Sequence, residues 1–517
     1  MPPALVNRAR FCDNGGMERL ILIAALLALL SVLSAASAAP NPPPPPREYT
    51  LAGPLATRQA DGPAWAKNLP LYQAYPHDGW SKEYREGSYF RRTEALLPSL
   101  KEMGVGIVWI LPVHPRGPAP GAVPPSHISK TAQFQSLSPY CVRDFYAVDP
   151  HWGTPDDLHR LIRRAHALGM RVMMDMVLNH TSWGNPLLVE RPDFYKHDAD
   201  GNIVQAGPWR DIAQLDYDNH AVWDYMTKML THWVRDYDVD GFRMDAADRV
   251  PPAFWQWLRP QLNAVHPVLL LAEDERPSDF PAFDMAYEWR LAPLLWALAG
   301  RGADDGANAA DATALDALLL RQAHEFPPGA VLMNHLDNHD LNPEANPWVW
   351  GGGPVKNKVT GRTVLVRYGE GYRAFSVLAA TLPGRPMIYN GQEFYTPGSL
   401  EALPVPTTPE TLRAAPNYDF FRRLLNAYQD HPALSEGAFT KIPSDQDAAV
   451  YAFARFRDKD RVIVVLNLSG EARTAKLRSA ALPGRYREVF TGKEARFGEA
   501  ATLTLEPWGY RIYTAKP

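Results

Sequence analysis

Short apolar runs rich in β-branched residues alternate with longer amphipathic ones through the whole centre of this 517-residue chain, and few folds accept that pattern. "NLPLYQAY" leads to "TEALLPSLKEMG", "VGIVWILPV" to a loop, "DDLHRLIRRAHALG" to "MRVMMDMVLNH", and "HAVWDYMTKMLTHWVRDY" to "DVDGFRMDA". Then come "HPVLLLAEDE", "GAVLMNHLDNHD" after a helical stretch, and "YRAFSVLAATLPG" before "RPMIYNG". Strand and helix in alternation imply parallel strands joined by helical crossovers. About eight such strands favour a closed (β/α)8 TIM barrel over an open doubly wound sheet.

Two segments break the alternation. A short excursion after the third strand, about 181–215, carries "DADGNIV", a tight turn whose glycine comes too early for an EF-hand loop. From about Leu434 only strands follow, "AVYAFARFR", "RVIVVLNLS", "REVFTG" and "ATLTLEPWGYRIYTA", which predicts a C-terminal antiparallel β-sandwich domain. The expected organisation is a leader over 1–38, a Pro-rich linker over 39–65, the barrel over 66–433 with its inserted small domain, and the β-domain over 434–517.

The leader reading rests on "MERLILIAALLALLSVLSAASAAP", whose apolar stretch ends in small residues at Ala36-Ser37-Ala38; Met17 is then an alternative start. The stretch is short for a membrane span, so no lasting anchor is expected. Of two cysteines, Cys12 falls in the leader and leaves Cys141 alone, which fits export to a bacterial periplasm or the medium rather than a disulfide-built scaffold. A formal charge of −4 without any basic block argues against nucleic acid as a partner and for a small or neutral one; a monomer is expected. Fifteen Trp and twenty-two Tyr offer flat platforms of the kind sugar rings stack on.

In such barrels chemistry gathers where the strands end. The third strand ends in Asp175 and Asn179-His180, the fourth in Arg243, Asp245 and Asp248, the fifth in Glu273-Asp274-Glu275, and the seventh in Asp337-Asn338-His339-Asp340. Any one of these alone is more often a cap or a turn residue. Four strand ends repeating the pattern on one rim point to a site. Arg243 and Asp245 are two apart, so they project to one side of a strand, and a guanidinium there would keep the carboxylate ionised. A carboxylate ending an apolar strand has the opposite bias, since partial burial keeps its proton. Strand alternation puts Glu273 and Glu275 on one side and Asp274 on the other, leaving two candidates for that role. One ionised and one protonated acid on adjacent strands is the pair that breaks glycosidic bonds with retention.

These residues bring a family into view. "DMVLNH", "GFRMDAADR", "LLLAEDE" and "LDNHD", in that order, resemble the spaced motifs of the α-amylase family of glycoside hydrolases, family 13. Flanking blocks "VGIVWILPVHP", "SPYCVRDFYAVDPHWGTPDDLHRLIRRAHALGM" and "ATLPGRPMIYNGQE" resemble it too. The resemblance implies Asp245 as nucleophile, Glu273 as general acid/base and Asp340 as the acid that stabilises the transition state. It further implies that Arg243 orients Asp245, that His180 and His339 bond sugar hydroxyls, that Tyr140 stacks beneath the ring, and that Asn179 and Asp216 help hold calcium. Asp248 and Arg249 stand where Lys and His are usual, and "SPYCVRD" replaces the commoner "HGY". The implied activity is retaining hydrolysis of α-glucosidic bonds, α-1,4 above all, in starch, glycogen or maltooligosaccharides. The same constellation also serves transglycosylation, small α-glucosides such as sucrose or trehalose, and catalytically dead binding relatives.

Overall fold

The computed structural model describes residues 48–53, 62–74, 88–119, 122, 124–134, 136, 138–300, 310–341, 364–397 and 406–515. The leader expected at 1–38, and much of the linker expected at 39–65, lie outside the described residues.

Eight parallel strands close into a barrel: β1 (Leu71–Ala74), β2 (Ile107–Ile110), β3 (Arg171–Val177), β4 (Gly241–Asp245), β5 (Leu269–Ala272), β6 (Met285–Tyr287), β7 (Val331–Asn334) and β8 (Arg385–Tyr389). Alternate residues point to its two faces. Ile107, Trp109, Met173, Leu269, Leu271, Met285, Tyr287 and Met333 fill the inside, while Val108, Ile110, Met174, Phe242, Met244 and Leu270 pack outward against helices. Burial on both faces is why the strands read as continuous apolar runs rather than alternating ones.

Helices α1 (Tyr89–Met103), α2 (Pro155–Ala167), α3 (His220–Tyr237), α4 (Pro252–Asn263), α5 (Leu291–Leu298), α6 (Ala314–Glu325), α7 (Tyr372–Thr381) and α8 (Tyr418–Asp430) form the surround. The start of α2 is set locally: Thr154 and Asp157 cap each other reciprocally and Pro155 occupies the first turn, while Leu158, Leu161, Ile162 and Ala165 bury one stripe. Between β5 and β6 the crossover is a single 3-10 turn, Pro277–Asp279. β6 itself, three residues long, has no counterpart in the apolar runs read from the sequence.

The excursion after β3 is a three-stranded sheet of His180–Ser182, Gln205–Ala206 and Trp209–Gln214, with His180 opposite Gln214. At the C-terminus β9 (Ala438–Ile442), β10 (Val450–Arg457), β11 (Asp460–Asn467), β12 (Arg473–Arg478), β13 (Gly484–Glu488), β14 (Glu494–Phe497), β15 (Ala500–Leu505) and β16 (Tyr510–Ala515) build a larger antiparallel sheet faced by the β12–β15 pair. Their buried residues form a separate core around Ile442, Val450, Ile463, Val465 and Leu477. Thr50–Leu51, inside the segment expected to be linker, adds an edge strand to β9.

Candidate active site

Register decides which side chains meet. Asp175 of β3 lies opposite Arg243 of β4, and Arg243 opposite Leu271 of β5, so the next inward position, one residue past the end of β5, is Glu273. The Arg243 guanidinium is fully buried and serves three carboxylates. Its Nη1 donates to Asp175 Oδ1 at 2.7 Å and Asp245 Oδ1 at 2.9 Å, and its Nη2 lies 2.6 Å from Glu273 Oε1. Nε donates to Tyr287 Oη at 3.2 Å. The rings of Tyr140, Trp109 and Tyr287 stand 5.6, 5.7 and 5.9 Å from the same guanidinium. Aromatic walls keep water away and strengthen each charge interaction.

Immediately after Asp245 the chain turns through Ala246 in a left-handed conformation, φ +44°. That turn aims the Ala246 N–H at Glu273 Oε2, 2.7 Å away. Burial pushes the Glu273 carboxyl well above its ordinary range, helped by the charges of Asp245 and Asp340 and opposed by Arg243. Asp340 is also raised, first by burial, with the Arg243 charge pulling the other way. Asp175 is pushed up to about 7, by burial first, with the Arg243 charge pulling the other way. The cluster therefore favours holding a proton, most strongly on Glu273, the carboxyl that burial raises together with two neighbouring negative charges.

Each residue read from the rim has a definite place. Glu273 reaches Arg243, whereas Glu275 turns away to Arg290, whose Nε lies 3.2 Å from its Oε1, and Asp274 pairs with Arg276. By contact, Glu273 and not Glu275 joins the Arg243 cluster. Tyr140 Oη donates to Asp175 Oδ2 at 3.2 Å and meets His339 Nε2 at 2.5 Å; His339 Nδ1 receives the Gln73 amide at 2.8 Å. His180 is buried with both ring nitrogens taken by protein, Nδ1 by the Asn179 amide and Nε2 by the Tyr140 carbonyl, each at 3.2 Å. Burial lowers the pKa of both histidines, so both are neutral. Asp248 and Arg249 sit outside this inner ring, Arg249 lying 5.7 Å from the Trp209 ring of the excursion.

Four contributors went unread in the sequence. Tyr287 ends the three-residue β6, Trp109 and Gln73 sit within apolar runs of β2 and β1, and Gln214 belongs to the excursion. Period-two alternation inside β2 and β1 would have turned Trp109 and Gln73 inward; nothing local marks the other two.

A family model described as the α-amylase catalytic domain matches residues 94–192 and 207–264, and a maltogenic-amylase C-terminal domain matches 439–512. The chain is similar to α-amylase-family glycoside hydrolases. It is 29% identical over 445 residues to the α-amylase MalA of Haloarcula japonica, covering 82% of this chain and 59% of that longer protein. Its fold superposes on a maltogenic α-amylase from Thermotoga neapolitana with a TM-score of 0.68 at 26% identity, covering 88% of this chain and 100% of that one. An α-amylase from Lactobacillus plantarum gives 0.67 at 25%, over 87% and 100%. The matched catalytic segments contain Asp245 but end before Glu273 and Asp340, so those two acids enter the site on geometry.

Calcium, expected at Asn179 and Asp216, does not fit the groups found there. Asn179 Oδ1 accepts the Gln214 side-chain amide at 2.9 Å, and Asp216 Oδ1 accepts the Asp218 N–H at 3.2 Å. Calcium needs six to eight oxygens at about 2.3–2.6 Å, and an amide N–H pointing into the set opposes it.

Proposed function

We propose that this enzyme hydrolyses α-glucosidic bonds, α-1,4 above all, in starch, glycogen or maltooligosaccharides, with retention through a covalent glycosyl-enzyme. The observation that carries the reading is a single buried guanidinium gripping two carboxylates, Asp245 and Glu273, with its two terminal nitrogens. Acids held this close suit retention, which wants about 5 Å, better than inversion, which leaves room for a water.

Asp245 attacks the anomeric carbon while Glu273 gives its proton to the departing glycosidic oxygen. Water then enters, Glu273 takes one of its protons, and hydroxide attack on the anomeric carbon frees Asp245. Asp340, beside Glu273, grips sugar hydroxyls as the ring flattens and positive charge develops. The resemblance gave His180 and His339 sugar contacts. Their bonds favour positioning roles instead, holding Tyr140 as the platform under the ring. The Ala36-Ser37-Ala38 leader pattern supports export of the enzyme.

Replacement of Asp245 by Asn tests the mechanism, since it removes the nucleophile and almost no volume. Hydrolysis of maltooligosaccharides should fall by about 10⁴-fold or more with an unchanged melting temperature. Substantial turnover in that variant would overturn the assignment. Product analysis on starch, pullulan, cyclodextrin, sucrose and trehalose tests the substrate: action on the last two alone would sink the glucan reading.

A further inference from the structure

We propose that the side-chain amide of Gln214 does the work of the metal ion that does not fit here, cross-linking the excursion to β3 and, through a chain of hydrogen bonds, positioning Tyr140. The Gln214 Nε2 faces three oxygens at once: Asn179 Oδ1 at 2.9 Å, the Asn179 carbonyl at 3.1 Å and the Leu215 carbonyl at 3.2 Å. Two N–H groups shared among three converging oxygens is what a small cation would otherwise do at that point. An amide carries no formal charge, so it can enter without the dehydration a divalent ion requires.

The position is set by the small sheet. Gln214 lies directly across from His180, and the Leu215 N–H also donates to the Asn179 carbonyl, at 3.2 Å. From Gln214 the polarity runs one way. Because Asn179 Oδ1 accepts from Gln214, the Asn179 Nδ2 is left to donate to His180 Nδ1. With Nδ1 an acceptor, the His180 proton sits on Nε2 and is donated to the Tyr140 carbonyl. Tyr140 in turn places its hydroxyl on Asp175 and His339. Gln214 is therefore a positioning residue, remote from substrate, that fixes the His180 tautomer and the seat of the aromatic platform.

The chain as it stands should be indifferent to calcium. After dialysis against a calcium chelator, its melting temperature and its turnover of maltooligosaccharides should match those in millimolar calcium chloride. The Q214M variant keeps the length of the side chain and deletes both donors. Its kcat should fall about tenfold at a temperature where circular dichroism shows it folded, and calcium should not restore it. Q214E places a carboxylate among three oxygens, which repel it until a cation arrives. Its melting temperature and kcat should both drop in chelator and recover with calcium, and the ¹⁵N signals of His180 should leave the Nε2–H tautomer pattern and return with the ion. Two results would overturn the proposal: chelator lowering the wild-type melting temperature reversibly, or Q214M retaining wild-type kcat and the wild-type His180 tautomer. Should Q214M fail to fold, the wild-type chelator arm and the calcium response of Q214E still decide. Melting and tautomer readouts need no substrate, so they stand apart from the glucan-hydrolase reading.

Discussion

At the scale of single residues, the site solves a charge problem. Asp175, Asp245, Glu273 and Asp340 crowd around one arginine, and three of the four contact its guanidinium directly. Burial and like charge resolve the excess by keeping a proton on Glu273. The alkaline limb of the pH–kcat/KM profile should then report loss of that proton. The sign follows from the causes: a group raised by neighbouring negative charge falls when the charge goes. In Asp340→Asn the alkaline limb should move to lower pH, on top of a rate loss of about 100-fold or more from the missing transition-state contact. An unmoved limb on the residual activity would mean that Glu273 is not the titrating acid. Much of this was legible beforehand, because Arg243, Asp245 and Glu273 all end apolar runs and two-residue alternation orients them. Tyr287 and Gln214 were not, since each acts through a partner far along the chain and no local pattern announces it.

At the scale of elements, the catalytic spacing depends on how closely β4 and β5 approach. Gly241 makes that approach: a Cβ there would lie 2.5 Å from the Leu269 carbonyl oxygen, which is backbone and cannot swing aside. Gly241→Ala should cost about 2–3 kcal/mol of stability, as overpacking does, and lower kcat by spreading Asp245 from Glu273. Thermal melts and maltooligosaccharide kinetics check both; a variant with wild-type melting and kcat would show that the two strands have slack. The longer strands and their helices could be read from periodicity because each strand is buried on both faces and each helix on one. β6 could not. Three residues, Met285–Tyr287, entered by way of a 3-10 turn instead of a helix, give too short a run for any period to register.

At the scale of the whole molecule, the described residues from 48 to 515 fall in a single compact unit, so barrel and β-domain are coupled rather than strung together. Buried contacts across the seam show how. Arg455 of β10 donates to the Thr381 carbonyl at the end of α7, at 2.7 Å. Asp316 of α6 receives two phenol hydroxyls on one oxygen, Tyr49 from beside the N-terminal edge strand and Tyr451 from β10, both at 2.7 Å. Three distant stretches of sequence thus close on one buried carboxylate, a junction that no local reading could locate. Asp316→Ala would strand both hydroxyls in an apolar seam, and a buried donor without a partner costs roughly 1–3 kcal/mol. Denaturation should therefore show a loss of about 2–6 kcal/mol for the two donors, nearly all of it recovered when Tyr49→Phe and Tyr451→Phe are added to remove the stranded groups. Glucan hydrolysis at low temperature should be unchanged, because none of the three touches the site. If the triple variant is no more stable than Asp316→Ala alone, the seam is held by packing and the carboxylate is incidental to it.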